Sequence, residues 1–201
     1  MSRTKAEFWF DPLCPWAYMT SRWILEVEKT RDISVQWNLF SLAHLNRDKE
    51  MSEEYKAKLM RSWHCTRLIA AAQKVAGPEI TLPLYTAISR RIHLEKAAVR
   101  EPLFEAALSE VGLNSSLIST IHDDSLDANI IESHERGIAL VGSDVGTPII
   151  SIAGVAFFGP VISPGPKGEE AGKLWDAVVG VASYPGFFEI KRSRTVGPIF
   201  D

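Results

Sequence analysis

Residues 6–11 alternate little between apolar and polar and are rich in aromatics, with Phe8, Trp9 and Phe10 in succession, a pattern that predicts a buried strand. Trp16, Met19, Trp23 and Val27 then recur at helical spacing and predict a helix from about Pro15 to Lys29. Residues 33–41 alternate apolar with polar side chains, which predicts a second strand and makes a right-handed βαβ unit the natural assembly. From about Asp48 to Gly142 the period changes to 3.6. Tyr55, Leu59, Trp63, Leu68, Ile69 and Ala72 mark one long helix, for which Ser52 is the cap and Glu53 and Glu54 suit the first turn. Leu84, Ile88 and Ile92 mark a second helix, and Leu103, Phe104, Ala107, Leu108 and Val111 a third that stops at Gly112. Asn114 or Ser115 opens a short fourth, and Ser125 opens a last one running through Ile130, Ile131 and His134 to Val141. Strands resume with Thr147 to Ala153, a turn at Gly154 and a return from Val155 to Val161. A loop at Ser163-Pro164-Gly165-Pro166 leads to a final helix from Gly168 to Val181, with Leu174, Trp175 and Val178 on its apolar side.

The order is therefore β-α-β, an all-helical stretch, then β-β-α. That is an α/β fold with one mixed sheet: a thioredoxin-like core built from residues 1–47 and 143–201, interrupted by a helical insertion over 48–142 that acts as a lid. A chain of 201 residues, 46% of them hydrophobic, can bury such a core without staples. The net charge of −3 comes from interspersed acids and bases, so no nucleic-acid footprint is expected, and the short run Lys191-Arg192-Ser193-Arg194 reads as a solvated face. No apolar run approaches the ~20 residues of a membrane span, and the polar lead into the first strand is unlike a signal peptide. Two cysteines far apart make no disulfide framework and fit a reducing, cytoplasmic compartment.

The first strand runs directly into Asp11-Pro12-Leu13-Cys14-Pro15-Trp16-Ala17. A cysteine at the start of a helix faces unpaired N–H groups and the positive end of the macrodipole, which favour its thiolate and lower its pKa. Pro15 suits the first helical position. The spacing is that of C-x-x-C, but Ala17 stands where the second sulfur would be, so the site has one thiol. Its expected partner in space is the loop Val145-Gly146-Thr147-Pro148: a cis bond before Pro148 would set the proline beside the thiol and leave the Thr147 backbone free to pair with an extended substrate. Trp16 reads equally as a platform for an aromatic ligand or as core. Asp11 suits a turn better than a role in tuning the thiol, Glu7 carries the same tuning alternative, and Cys65 beside His64 reads as an ordinary buried helix residue. His44, His93, His122 and His134 show no ligand spacing, and no metal site is expected. G-x-G-x-x-G, P-loop and G-x-S-x-G patterns are absent, against nucleotide binding and serine hydrolysis.

The stretches Phe8–Trp16, Ser41–Asn46, Ser133–Glu135, Leu140–Pro148 and Phe158–Gly172 together resemble the DsbA-like thioredoxin-fold proteins of actinobacteria, above all the mycothiol-dependent nitroreductase group. The resemblance implies that Cys14 works with mycothiol as thiol co-substrate. It also implies that Trp16 lines the substrate pocket and that Asn46 and Tyr55 face it from the end of the second strand and the insertion, beside Pro15, Thr147 and Pro148, which the motif and the loop already make candidate substrate-binding residues. Members commonly carry C-P-W-C, so Ala17 removes the internal disulfide. The expected activity is reduction of disulfides or small electrophiles such as nitro compounds, with a low-molecular-weight thiol as partner and a homodimer admitted. Two other readings stand beside it: a kappa-type glutathione transferase or chromene-carboxylate isomerase, which Cys14 disfavours because those use serine, and a non-catalytic binding module.

Overall fold

The computed structural model describes residues 3–200. Strand β1 (Thr4–Phe10) lies between β2 (Ile33–Leu39), to which it is parallel, and β3 (Ile149–Ile152), to which it is antiparallel, and β4 (Val155–Phe158) completes the order β2-β1-β3-β4. The register pairs Phe8 with Trp37 and with Ile150, and Trp9 with Ile149. The strands end sooner than expected, at Leu39, Ile152 and Phe158, because Ser41 turns to cap a short helix, Ala153 and Gly154 take positive φ in the hairpin, and Gly159 at φ +97 turns the chain out of the sheet.

Side-chain alternation splits the aromatic run of β1 between two cores. Phe8 and Phe10 enter the larger one, where the Phe10 and Tyr85 rings lie 3.9 Å apart, while Trp9 packs with Phe40 and Ile149 on the other face. Helix α1 (Pro15–Thr30) makes the crossover from β1 to β2 and packs against α7 (Gly168–Ala182), with Trp23 and Trp175 5.8 Å apart. Between β2 and β3 the chain is helical throughout: α2 (Leu42–Leu45), α3 (Glu53–Ala76), α4 (Thr81–His93), α5 (Glu101–Glu110) and α6 (Asp127–Val141), with short 3₁₀ turns at Pro78–Ile80, Ser115–His122 and Asp124–Leu126. The segment expected as a fourth helix is thus a 3₁₀ turn, capped by Asn114, and the last helix begins at Asp127 after a further 3₁₀ turn. Ser52 caps α3 by accepting the Tyr55 N–H (3.3 Å), and a bidentate pair from Arg67 to Asp127, 2.7 Å on each arm, fastens α3 to the start of α6.

Helix α6 lies close on the sheet because it carries glycine where Trp9 stands. A Cβ at Gly137 would come within 3.0 Å of the Trp9 ring, and that ring is fixed by its Nε1–H donating to the Ser133 carbonyl at 2.8 Å. The same ring lies under the Arg136 guanidinium, 5.5 Å from its centre. Gly137→Ala is therefore expected to destabilise the protein by about 1–3 kcal/mol despite the better helix propensity of alanine, read as a lower urea midpoint with an unchanged m-value.

Candidate active site

The loop from β1 to α1 is built around Asp11. Its Oδ1 accepts the Leu13 N–H (2.8 Å), its carbonyl accepts the Cys14 N–H (2.9 Å), and the turn this makes delivers Cys14 to the first turn of α1 in extended geometry as the helix cap. Pro15 takes the first helical position, where a missing N–H costs nothing. Cys14 Sγ accepts the Ala17 N–H at 3.4 Å and donates to the Thr147 carbonyl at 3.3 Å. The Thr147–Pro148 peptide is cis, and Thr147 Oγ1 donates to the Trp9 carbonyl (2.7 Å), so the loop is pinned to the end of β1 beside the thiol.

The second oxygen of Asp11 reaches further than a turn requires. Oδ2 accepts the Leu42 N–H at 2.7 Å and the Ser62 hydroxyl, so one fully buried carboxylate joins the thiol loop to α2 and α3. Burial raises its pKa, and the hydrogen bonds from Leu42, Ser62 and Leu13 act in the opposite direction. The expectation of a simple turn residue accounts for Oδ1 alone.

Cys14 departs from expectation more sharply. The thiol is 7% exposed, and burial pushes its pKa up to about 12, where a lowered value is expected of a cysteine at a helix start. The Ala17 N–H does favour the thiolate, as the helix geometry requires, but desolvation is larger, and the Asp11 carboxylate adds to it. Cys65 is completely buried on α3, and burial, followed by the charge of Asp11, raises its pKa well above the usual thiol value. Both cysteines are free.

Among the other candidate residues, Thr147 and Pro148 are buried against Cys14, whereas Trp16 is half-buried with the Arg194 guanidinium 5.1 Å over its ring. The basic run expected as a solvated face thus sends one of its members to the active-site helix. Asn46 spends its amide locally, Nδ2 donating to the Leu42 carbonyl (2.8 Å), at the end of the helix whose Leu45 faces Gly146. Tyr55 is exposed in the first turn of α3 and is not brought to the thiol. Glu7 pairs with Asn38 and Arg136, away from Cys14. His93, a buried residue of α4, lies behind the motif with Nε2 donating to the Pro12 carbonyl at 2.9 Å. Nothing in local spacing could have shown this.

Spacing also hides a cluster. His44, His134 and Glu135 bring one ligand atom each within 4.8 Å of one another, contrary to the expectation that the histidines stay apart. Yet the Ser41 N–H donates to His134 Nδ1 (3.4 Å), which places the ring proton on Nε2 and leaves that imidazole without a free lone pair for a cation. Within the trio His44 Nε2 lies 3.1 Å from Glu135 Oε1, and the His44 and His134 rings meet edge-on at 5.0 Å.

A cysteine capping the first helix of a βαβ unit, facing the carbonyl before a cis-proline, defines a thioredoxin-fold thiol oxidoreductase. Solved structures agree in fold. A probable DsbA oxidoreductase, SCO1869 from Streptomyces coelicolor, superposes with a TM-score of 0.60 over 96% of this chain and 94% of its own at 14% identity. The cytosolic disulfide reductase DsbM from Pseudomonas aeruginosa with GSH gives 0.56 over 88% and 99%, also at 14% identity. In sequence, Rv2286c of Mycobacterium tuberculosis is 30% identical over 194 residues, 96% of this chain and 83% of that protein. Residues 13–192 match the family described as Rv2466c-like, mycothiol-dependent nitroreductase Rv2466c, and the chain belongs to that family.

Two buried histidines give the fold a dependence on pH in the acid range. Burial lowers His93 and His134 from 6.5 to about 4, helped by Lys96 in the first case and His44 in the second. A histidine with a depressed folded pKa contributes stability in full above 6.5 and loses it as pH falls through about 4. Asp11, held high by burial, has the opposite sign and does not add to this acid loss. Urea unfolding between those pH values should therefore show a decline on the order of 3 kcal/mol per histidine, which His93→Gln and His134→Gln each flatten. Asp11→Ala leaves the Leu13 and Leu42 amides and the Ser62 hydroxyl without their acceptor and should cost about 2–4 kcal/mol by the same measurement.

Proposed function

We propose that the protein is a cytoplasmic reductase in which Cys14 is the only reacting cysteine and a low-molecular-weight thiol, mycothiol, supplies the electrons. The observation that carries this reading is the placement of Cys14 Sγ, capped by the Ala17 N–H and facing the Thr147 carbonyl. The printed description of the family supports mycothiol as the thiol. No described helix is long and apolar enough to cross a membrane.

With a disulfide R–S–S–R, the Cys14 thiolate attacks one sulfur, forming Cys14–S–S–R and releasing RSH after protonation. A first mycothiol thiolate attacks the Cys14 sulfur, frees the second RSH and leaves Cys14 joined to mycothiol. A second mycothiol then attacks the mycothiol sulfur, giving mycothiol disulfide and regenerating Cys14. With Ala17 in place of a second motif cysteine, the resolving thiol comes from outside the chain. A nitro group fits the same electron count, since two mycothiols supply two electrons and two protons and yield a nitroso compound, water and mycothiol disulfide. Pro15, Trp16, Thr147 and Pro148 form the surface against which either substrate lies.

The buried, weakly acidic thiol favours a second reading, a thioredoxin-like module that binds without turnover. Variants separate the two. Cys14→Ser should lose mycothiol-dependent reduction by ~100-fold or more while Cys65→Ser keeps most of it, and mass spectrometry of the oxidised protein should show mycothiol on Cys14. A Cys14–Cys65 bridge in the peptide map, or turnover that survives Cys14→Ser, would end the single-thiol mechanism.

A further inference from the structure

Two histidines from different elements meet outside the thiol site. His64, half-buried in the middle of α3, and His122, exposed at the end of the 3₁₀ turn Ser115–His122, hold their rings edge to face with centres 5.2 Å apart. Neither imidazole makes a hydrogen bond or ion pair among the described residues. Both line one open groove of about 420 Å³, to which the start of α5 contributes Arg100, Glu101 and Phe104.

We propose that His64 and His122 are two ligands of a transition-metal site suited to zinc, with the Glu101 carboxylate as a third and water completing the coordination. The proposal is independent of the reductase reading.

Ring spacing carries the assignment. Two imidazoles on one tetrahedral zinc, each nitrogen about 2.0–2.1 Å from the ion, have ring centres about 5 Å apart, so side-chain rotation is enough to aim both lone pairs at one point. Imidazole nitrogens suit zinc, copper and nickel rather than calcium or magnesium. The trio of His44, His134 and Glu135 differs in this respect, because there the Ser41 N–H already uses a ring lone pair. Arg100 stands in the same groove as a cation, and with it the same walls could hold an anion instead. Protonation decides between the two. An anion needs charged imidazoles, whereas burial, followed by the neighbouring His122, Arg67 and Arg61, lowers the His64 pKa and favours the neutral ring that a metal takes. Arg67 is itself engaged by both oxygens of Asp127, and Glu101 has no cationic partner among the described residues. A metal at this point would tie the middle of α3 to the 3₁₀ turn and to the start of α5, three parts of the helical insertion.

The test titrates zinc into the chelator-treated full chain by isothermal calorimetry at neutral pH. Wild type should bind one ion with a dissociation constant on the order of micromolar, which His64→Ala and His122→Ala each weaken about tenfold or more, while Cys14→Ser and His44→Ala leave it unchanged. Glu101→Gln should weaken binding and Arg100→Gln strengthen it, each by a few-fold. Cobalt(II) in place of zinc should give visible d–d absorption without a sulfur-to-metal charge-transfer band, and saturating zinc should raise the melting temperature of wild type but not of His122→Ala. No binding at about 1 mM zinc would overturn the assignment, as would an affinity that both histidine variants leave unchanged or that Cys14→Ser abolishes. His122 is exposed, so its result stands if His64→Ala proves unstable.

Discussion

Asp11 gives its two carboxylate oxygens to donors from three segments, the thiol loop, the start of α2 and the middle of α3, and the placement of Cys14 depends on it. A carboxylate taken wholly out of water is costly unless its lone pairs are used, and here two backbone N–H groups and a hydroxyl use them. The arrangement works in both directions. The donors make the buried acid tolerable, and the acid fixes how the helical insertion sits against the loop that leads from β1 to Cys14. Thioredoxin-like core and insertion are thereby joined at the residue three positions before the sulfur.

The same burial sets the character of the thiol. A helix start supplies N–H groups that favour a thiolate, but in this closed arrangement removal from water outweighs them. Geometry and titration thus answer different questions. The cap and the Thr147 carbonyl locate the sulfur where a thioredoxin-fold nucleophile belongs, while its protonation depends on how much of the surrounding cover is in place. The hydrogen-bonding pattern is that of a helix-capping thiol, and the dielectric around it is that of a core.

Much of this organisation was legible along the chain. The aromatic run of β1, the helical period over the insertion, the Cys14-Pro15 helix start and the Gly146-Thr147-Pro148 loop are local patterns, and each depends on neighbours within a turn or a strand. What escaped was long-range. Asp11 resembles a turn former because its first partner is two residues away, and nothing in spacing reveals Leu42 or Ser62 at its other oxygen. His44 and His134 lie 90 positions apart and meet only because α2 and α6 share one face of the sheet. Composition reads Lys191-Arg192-Ser193-Arg194 as a surface run, correctly for exposure, but it carries no sign that Arg194 finds an indole. Rules of periodicity identify elements well and say little about which side chains from different elements will share a hydrogen bond.

One consequence of the Cys14 cap concerns the helix rather than the chemistry. The Cys14 sulfur is also the atom that closes the first turn of α1, so the negative charge that makes a thiolate the stronger acceptor for the Ala17 N–H is lost when a covalent bond forms at Sγ. Redox state is thereby written into backbone order. When the sulfur carries an adduct, the opening turn of α1 loses part of its anchorage, and the Ala17 amide becomes a built-in reporter whose solvent exchange records whether the thiol is occupied.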